Sequence, residues 1–190
     1  TVVGANWRGK DIIRSRPKAS SKMPTLAQMA QREKFKMISH FIQPIRSLHS
    51  RYFGEKTGTK SKVNLALSYF LTEAIVENDG IFTIDYLNVL ISQGELTGFT
   101  NLTLTRNLTQ IDIEWADNSN QGTAKAEDKV SIAIYCETYK EWGIWEDVAI
   151  RSDSSISIQL PTHWDNEVIY CYAFLYQLLH KRVSTSVLIT

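Results

Sequence analysis

A chain of 190 residues and 21.7 kDa fits one ordinary domain or two small ones and can bury a core without staples. With 43% hydrophobic and 22% charged residues, and only 9 glycines and 4 prolines, it is not a disordered or fibrous chain. The net charge of +1 hides a polarity: residues 1–62 hold 14 Lys/Arg against 3 Asp/Glu (+11), and the rest hold 7 against 17 (−10).

That asymmetry has three readings: the basic third packs on the acidic remainder, copies assemble head to tail, or the basic third meets nucleic acid or an acidic glycan. No apolar run approaches the roughly 18 residues of a spanning helix, so no membrane span is expected. The chain opens on Thr1 rather than methionine, as a trimmed or processed form would, which leaves the compartment open. Two cysteines, Cys136 and Cys171, are too few for a disulfide framework or a zinc module.

Residues 1–23 show no sustained period; residues 6–17 read as a short extended piece ending before Pro17. Thr25 with Gln28 forms a capping-box signature. The helix it opens, over 26–41, has an apolar stripe of Leu26, Met29, Ala30, Met37, Ile38 and Phe41. Pro44 should end it, and a shorter helix follows over 45–53. A third helix over 62–76 stops at the turn signal Asn78-Asp79-Gly80.

From there the apolar period becomes two. Strands are expected at Phe82/Ile84/Tyr86, 89–91, Ile111/Ile113/Trp115, Val130/Ile132/Ile134, Ile156/Ile158/Leu160, Val168/Tyr170/Tyr172/Phe174/Tyr176 and 183–189. Turns fall at 117–122, 151–155 and 161–166. Short, half-buried alternating strands without crossover helices predict an antiparallel sandwich of immunoglobulin or fibronectin type III type over 87–190. The fold class is therefore α+β, with a basic, mainly helical part over 1–86.

No catalytic constellation emerges. The four histidines, His40, His49, His163 and His180, lack metal-ligand spacing. No phosphate loop or nucleophile elbow is present, and neither cysteine has a histidine near it in sequence. The expectation is a non-enzymatic protein without cofactor or metal. Cys136 and Cys171 fall on neighbouring strands and read first as core or edge thiols, with a cross-strand disulfide as the alternative. Asp117, Asn118, Asn120 and Asp128 could clasp calcium but lack ordered ligand spacing, and ordinary turn chemistry accounts for them.

Two candidate binding sites remain. Tyr139, Trp142 and Trp145 cluster after the third strand and could seat a protein partner or stack on a neutral glycan, unless the tryptophans tuck over the sheet edge. Arg14, Arg16, Lys18 and Lys22, with Trp7 nearby, combine basic and aromatic groups as a polyanion binder would, though no known nucleic-acid module accompanies them.

Several segments also carry a resemblance. Gly9-Lys10-Asp11-Ile12-Ile13-Arg14-Ser15-Arg16-Pro17, Pro24-Thr25 with Gln28, Ser92-Gln93-Gly94-Glu95-Leu96, Trp115-Ala116-Asp117-Asn118-Ser119, Asp128-Lys129-Val130 and Lys181-Arg182-Val183-Ser184-x-Ser186-Val187 make the chain similar to an uncharacterised Bacteroidota protein family. The resemblance spans nearly the whole chain and implies an architecture without an activity. Where the family pattern has an Asp-Gly turn before Lys181, this chain has Leu178-Leu179-His180. The function expected is a structural or adhesion-type protein-interaction module, binding itself or another protein. Polyanion binding is the alternative, and neutral-glycan binding a third.

Overall fold

The protein is described by a computed structural model covering residues 2–189 except 8, 17, 19–22, 56, 57 and 59. The chain begins as a hairpin of β1 (Val2–Trp7) and β2 (Lys10–Ser15), paired from Val2↔Ser15 to Trp7↔Lys10. Gly9 takes the left-handed backbone (φ +78) that the tight turn demands, and Asn6 closes it by donating to Asp11 and accepting from the Gly9 N–H. The extended piece expected here is thus half of a hairpin. Its alternation escapes a sequence reading because apolar side chains occur on both faces.

Three helices follow, α1 (Leu26–Ile42), α2 (Arg46–Tyr52) and α3 (Lys62–Glu73). The Thr25/Gln28 capping box forms as expected. The stripe on α1 is used unevenly: Ile38 and Phe41 are buried at its C-terminal end, whereas Leu26 in its first turn is 81% exposed. Helix α3 ends earlier than the sequence predicts. Ile75 and Val76 instead begin β3 (Ile75–Asn78), which pairs with β4 (Ile81–Ile84). Asp79 and Gly80, both at positive φ, make the two-residue turn that matches hairpin twist, and β-branched Ile75-Val76 favours strand over another helical turn.

The remaining strands are β5 (Thr100–Asn107), β6 (Gln110–Ala116), β7 (Lys129–Cys136), β8 (Glu141–Ile150), β9 (Ser155–Gln159), β10 (Ile169–Gln177), β11 (Arg182–Val183) and β12 (Val187–Ile189). They form a three-stranded antiparallel sheet, β5-β6-β9, and a five-stranded one in which β8-β7-β10 continues to β11 and β12. The segment 89–91 is buried but irregular, so the strand expected there is absent. The last strand is split, because buried Ser184 and Ser186 turn their hydroxyls to the Leu175 and Ile91 N–H groups.

The five-stranded sheet is buried on both faces, which corrects the half-buried alternation expected of it. Ala133, Tyr135, Tyr172 and Phe174 join Ile38, Phe41, Leu48, Phe53 and Phe70 in a core under the helices. The intervening Ile132, Ile134, Cys136, Cys171, Ala173 and Leu175 join Ile111, Ile113, Trp115 and Ile158 in a second core between the sheets. The molecule is a mixed α+β structure of helices, sheet and sheet, dominated by antiparallel strands.

Candidate functional site

The aromatic trio does not form one surface. Tyr139 is 45% exposed beyond β7 and meets the His163 ring edge-on at 4.9 Å. Trp142 faces the helices: its Nε1–H donates to the Phe41 carbonyl at 3.0 Å, and its ring packs on Phe41 and Tyr135. Trp145 lies on the opposite face of β8, opposite Ile132 and against the inter-sheet core. Its ring fills the space above Gly143, which a Cβ at that position would invade. Both tryptophans are spent on packing.

Arg14, Arg16 and Lys18 are exposed and form no ion pair among the described residues, whereas Lys22 lies outside them. Elsewhere the basic third does pair with the acidic remainder: Lys34 reaches Glu77 at 3.2 Å and Arg51 reaches Glu146 at 2.6 Å. On the hairpin carrying Arg14, Val2 is 70% and Ile13 79% exposed.

Two of the residues weighed for calcium, Asn118 and Asp128, have another task, and Asp117 accepts from the Ser119 N–H as a turn residue. Fully buried Arg151 donates to Asp128 Oδ2 through Nε and Nη2 (3.2 and 3.0 Å), to the Gly98 and Thr97 carbonyls (3.1 and 2.7 Å), and to Asn118 Oδ1. Asp128 also accepts from the Lys125 N–H and from Gln177, and Trp115 Nε1 donates to the Arg151 carbonyl. Every valence of the guanidinium is met, so the cluster locks three loops rather than holding an ion. Among the described residues no group of three or more His, Cys, Asp or Glu could hold a metal. Cys136 and Cys171 are free, buried thiols, and burial pushes that of Cys171 up to about 12.

Sequence reasoning missed a cleft of about 730 Å³ between α1, β4 and the β7–β8 turn. Its floor is Phe41, Tyr86 and Tyr135; Met37, Phe82 and Ile84 wall it. Tyr86 stacks on Tyr170 at 3.9 Å, and its ring lies 5.6 Å from that of Tyr135. Burial raises both phenols, which therefore remain neutral. Glu33, Lys36 and His40 stand on the rim along α1, opposite Glu137 and Lys140. The helical spacing of the first three is visible in the sequence; the arrival of Glu137 and Lys140 across from them is a tertiary event and is not.

Four of the segments that carry the family resemblance converge in pairs. The Ser92 hydroxyl donates to the Ser184 carbonyl, the Leu96 N–H donates to the Val183 carbonyl, and Gly94 abuts the Val183 backbone too closely for any Cβ. Trp115, Asn118 and Asp128 meet at Arg151. These motifs serve architecture. Residues 1–189 match the family of unknown function DUF6266, and the chain belongs to that family. No curated protein and no solved structure matches it.

Proposed function

We propose that this member of the family is a non-enzymatic structural or adhesion-type interaction module that assembles with further copies through its N-terminal hairpin. The observation that carries the reading is the hairpin β1–β2. Two strands alone are marginally stable in water. These two present apolar groups on both faces, Val3 with Ile12 and Val2 with Ile13, and among the described residues neither outer edge has a partner strand. An added strand would satisfy the edge, and burial of the apolar groups would stabilise the pair. The acidic remainder of a second copy suits a basic hairpin electrostatically.

We read the two facing sheets as an immunoglobulin- or fibronectin type III-like sandwich, a framework common in interaction modules. The order β5-β6-β9 facing β8-β7-β10, with the last strands at the far edge, supports that assignment. Light scattering across concentration at low and high salt tests the assembly. Oligomers should dissociate as salt rises, and Ile13→Glu should yield a monomer with an unchanged melting temperature. A wild-type monomer under every condition sinks the reading.

A second reading, polyanion binding, is favoured by the unpaired exposure of Arg14, Arg16 and Lys18. It requires affinity for heparin, DNA or RNA that falls steeply with log salt. Tight, salt-steep binding by a protein that never self-associates would replace the first reading with this one.

A further inference from the structure

We propose that the cleft between α1, β4 and the β7–β8 turn binds a neutral saccharide, one to three sugar rings of a longer glycan, stacked on its aromatic floor and held by the charged rim. The proposal is independent of the hairpin, which is remote in sequence and shares no residue with the cleft.

The floor and walls supply the first half of the argument. Phe41, Tyr86 and Tyr135 are fixed by their own contacts: Phe41 lies edge-on to Tyr135 at 4.9 Å, Tyr86 is stacked on Tyr170, and the Tyr172 hydroxyl donates to the Tyr86 carbonyl at 2.8 Å. Phe82 carries the Lys34 ammonium 4.5 Å from its ring centroid and also borders the cleft. Such a rigid aromatic surface binds a flat face of C–H groups at little entropic cost.

The rim supplies the second half. Among the described residues, Glu33, Lys36, His40 and Lys140 make no side-chain hydrogen bond or ion pair, and Glu137 accepts only from the Tyr170 hydroxyl, at 3.3 Å. Carboxylates and ammonium groups therefore ring one cleft without neutralising each other. A phosphate or carboxylate ligand would gain from the lysines and be repelled by Glu33 and Glu137; a cation would meet the reverse. A neutral sugar has hydroxyls that donate to carboxylates and accept from ammonium groups, so it can use both signs at once. A cleft of about 730 Å³ has room for a short run of sugar rings.

Trp142 reports on the site because its ring lies 5.2 Å from Phe41 and 5.0 Å from Tyr135, directly behind the floor. The full chain, carrying Ile13→Glu to hold it monomeric, is titrated with maltose, cellobiose, lactose, chitobiose and mannobiose. Calorimetry and tryptophan emission are read in parallel. At least one disaccharide should saturate, with an emission change lost in Trp142→Phe. Glu33→Gln/Glu137→Gln should weaken it at least tenfold at unchanged melting temperature, while Tyr139→Ala should leave it unaltered. Failure of the whole panel to saturate overturns the proposal. So does affinity that survives the double substitution, or a cleft that takes extended peptides and none of the sugars.

Discussion

The two faces of the five-stranded sheet are built from different side chains, although they belong to the same strands. Along β10, Tyr170, Tyr172, Phe174 and Tyr176 face the helices, while Ile169, Cys171, Ala173 and Leu175 face the other sheet. Sheets pack about 10 Å apart, a spacing that aliphatic chains fill. Cylindrical helices leave deeper, uneven gaps, and rings such as Tyr135, Tyr172 and Phe174 fill those. The cores also treat their buried polar groups differently. The inter-sheet core ends at Arg151, whose partners are complete. The helix-facing core encloses His49, whose Nε2–H donates to the Leu90 carbonyl at 3.2 Å while Nδ1 has no partner. The unpaired atom beside the Arg151 network is Gln177 Oε1, an amide oxygen that does not titrate, whereas the orphan nitrogen of His49 leaves the helix-facing core open to acid.

The sharpest test of that contrast removes Arg151. Arg151→Ala strands Asp128 as a buried charge and should cost about 3–5 kcal/mol in urea unfolding. Arg151→Met with Asp128→Leu should recover much of the loss, since apolar replacement of a whole buried pair is often tolerated. If the single change costs under about 1 kcal/mol, the network is not what closes the inter-sheet core.

Acid probes the opposite face. Burial lowers the His49 pKa to about 4 from an ordinary 6.5. A depressed histidine leaves full stability above the unfolded value. As pH falls from 6.5 to 4 the unfolded chain takes the proton first, and stability drops by up to about 3 kcal/mol. His49→Leu should remove that component, so unfolding midpoints of the two proteins should converge as pH falls from 7 to 4. Parallel pH curves would mean that the imidazole is not held neutral by the fold.

The same contrast explains what could be read in the sequence. The capping box at Thr25, the Asp79-Gly80 turn and the alternation in β6 are local signals, and they hold; β7 and β10 form where expected but are buried on both faces. Strand β5 is missed because Leu102 and Leu104 are its only apolar residues, set among threonines, asparagines and an arginine, so that two half-buried leucines stand out little. Strand β8 is hidden because Trp142 and Trp145, three residues apart, face opposite ways, and the register shifts between Trp145 and Ala149. The buried role of Arg151 leaves no trace at all, since its partners lie 23 to 54 residues away. The cleft fails for the same reason: α1 and the β7–β8 turn are about a hundred residues apart in the chain.

A smaller effect is expected from one hydroxyl on the helix-facing side. Tyr172→Phe deletes the bond to the Tyr86 carbonyl and leaves the ring in place, at a cost of about 1 kcal/mol. That loss should appear in thermal unfolding and should also loosen Tyr86, so near-ultraviolet tyrosine dichroism should weaken. An unchanged spectrum would show that stacking on Tyr170 alone holds Tyr86.

The smallest effect asks whether charge or aromatic burial docks the helices. Lys34–Glu77 and Arg51–Glu146 join the basic third to the acidic strands, but all four side chains are 27% to 53% exposed. Pairs in that setting contribute little and are screened by salt. Glu77→Ala with Glu146→Ala should together cost no more than about 1 kcal/mol, less in high salt, where the wild type approaches the variant. Tyr52 donates to the same Glu146 and keeps its ring against Phe174 in either protein, so its burial survives the substitution. A loss several times larger would reverse the argument. The polarity of the sequence would then be an intramolecular clamp, and less of it would be left for a second copy to read.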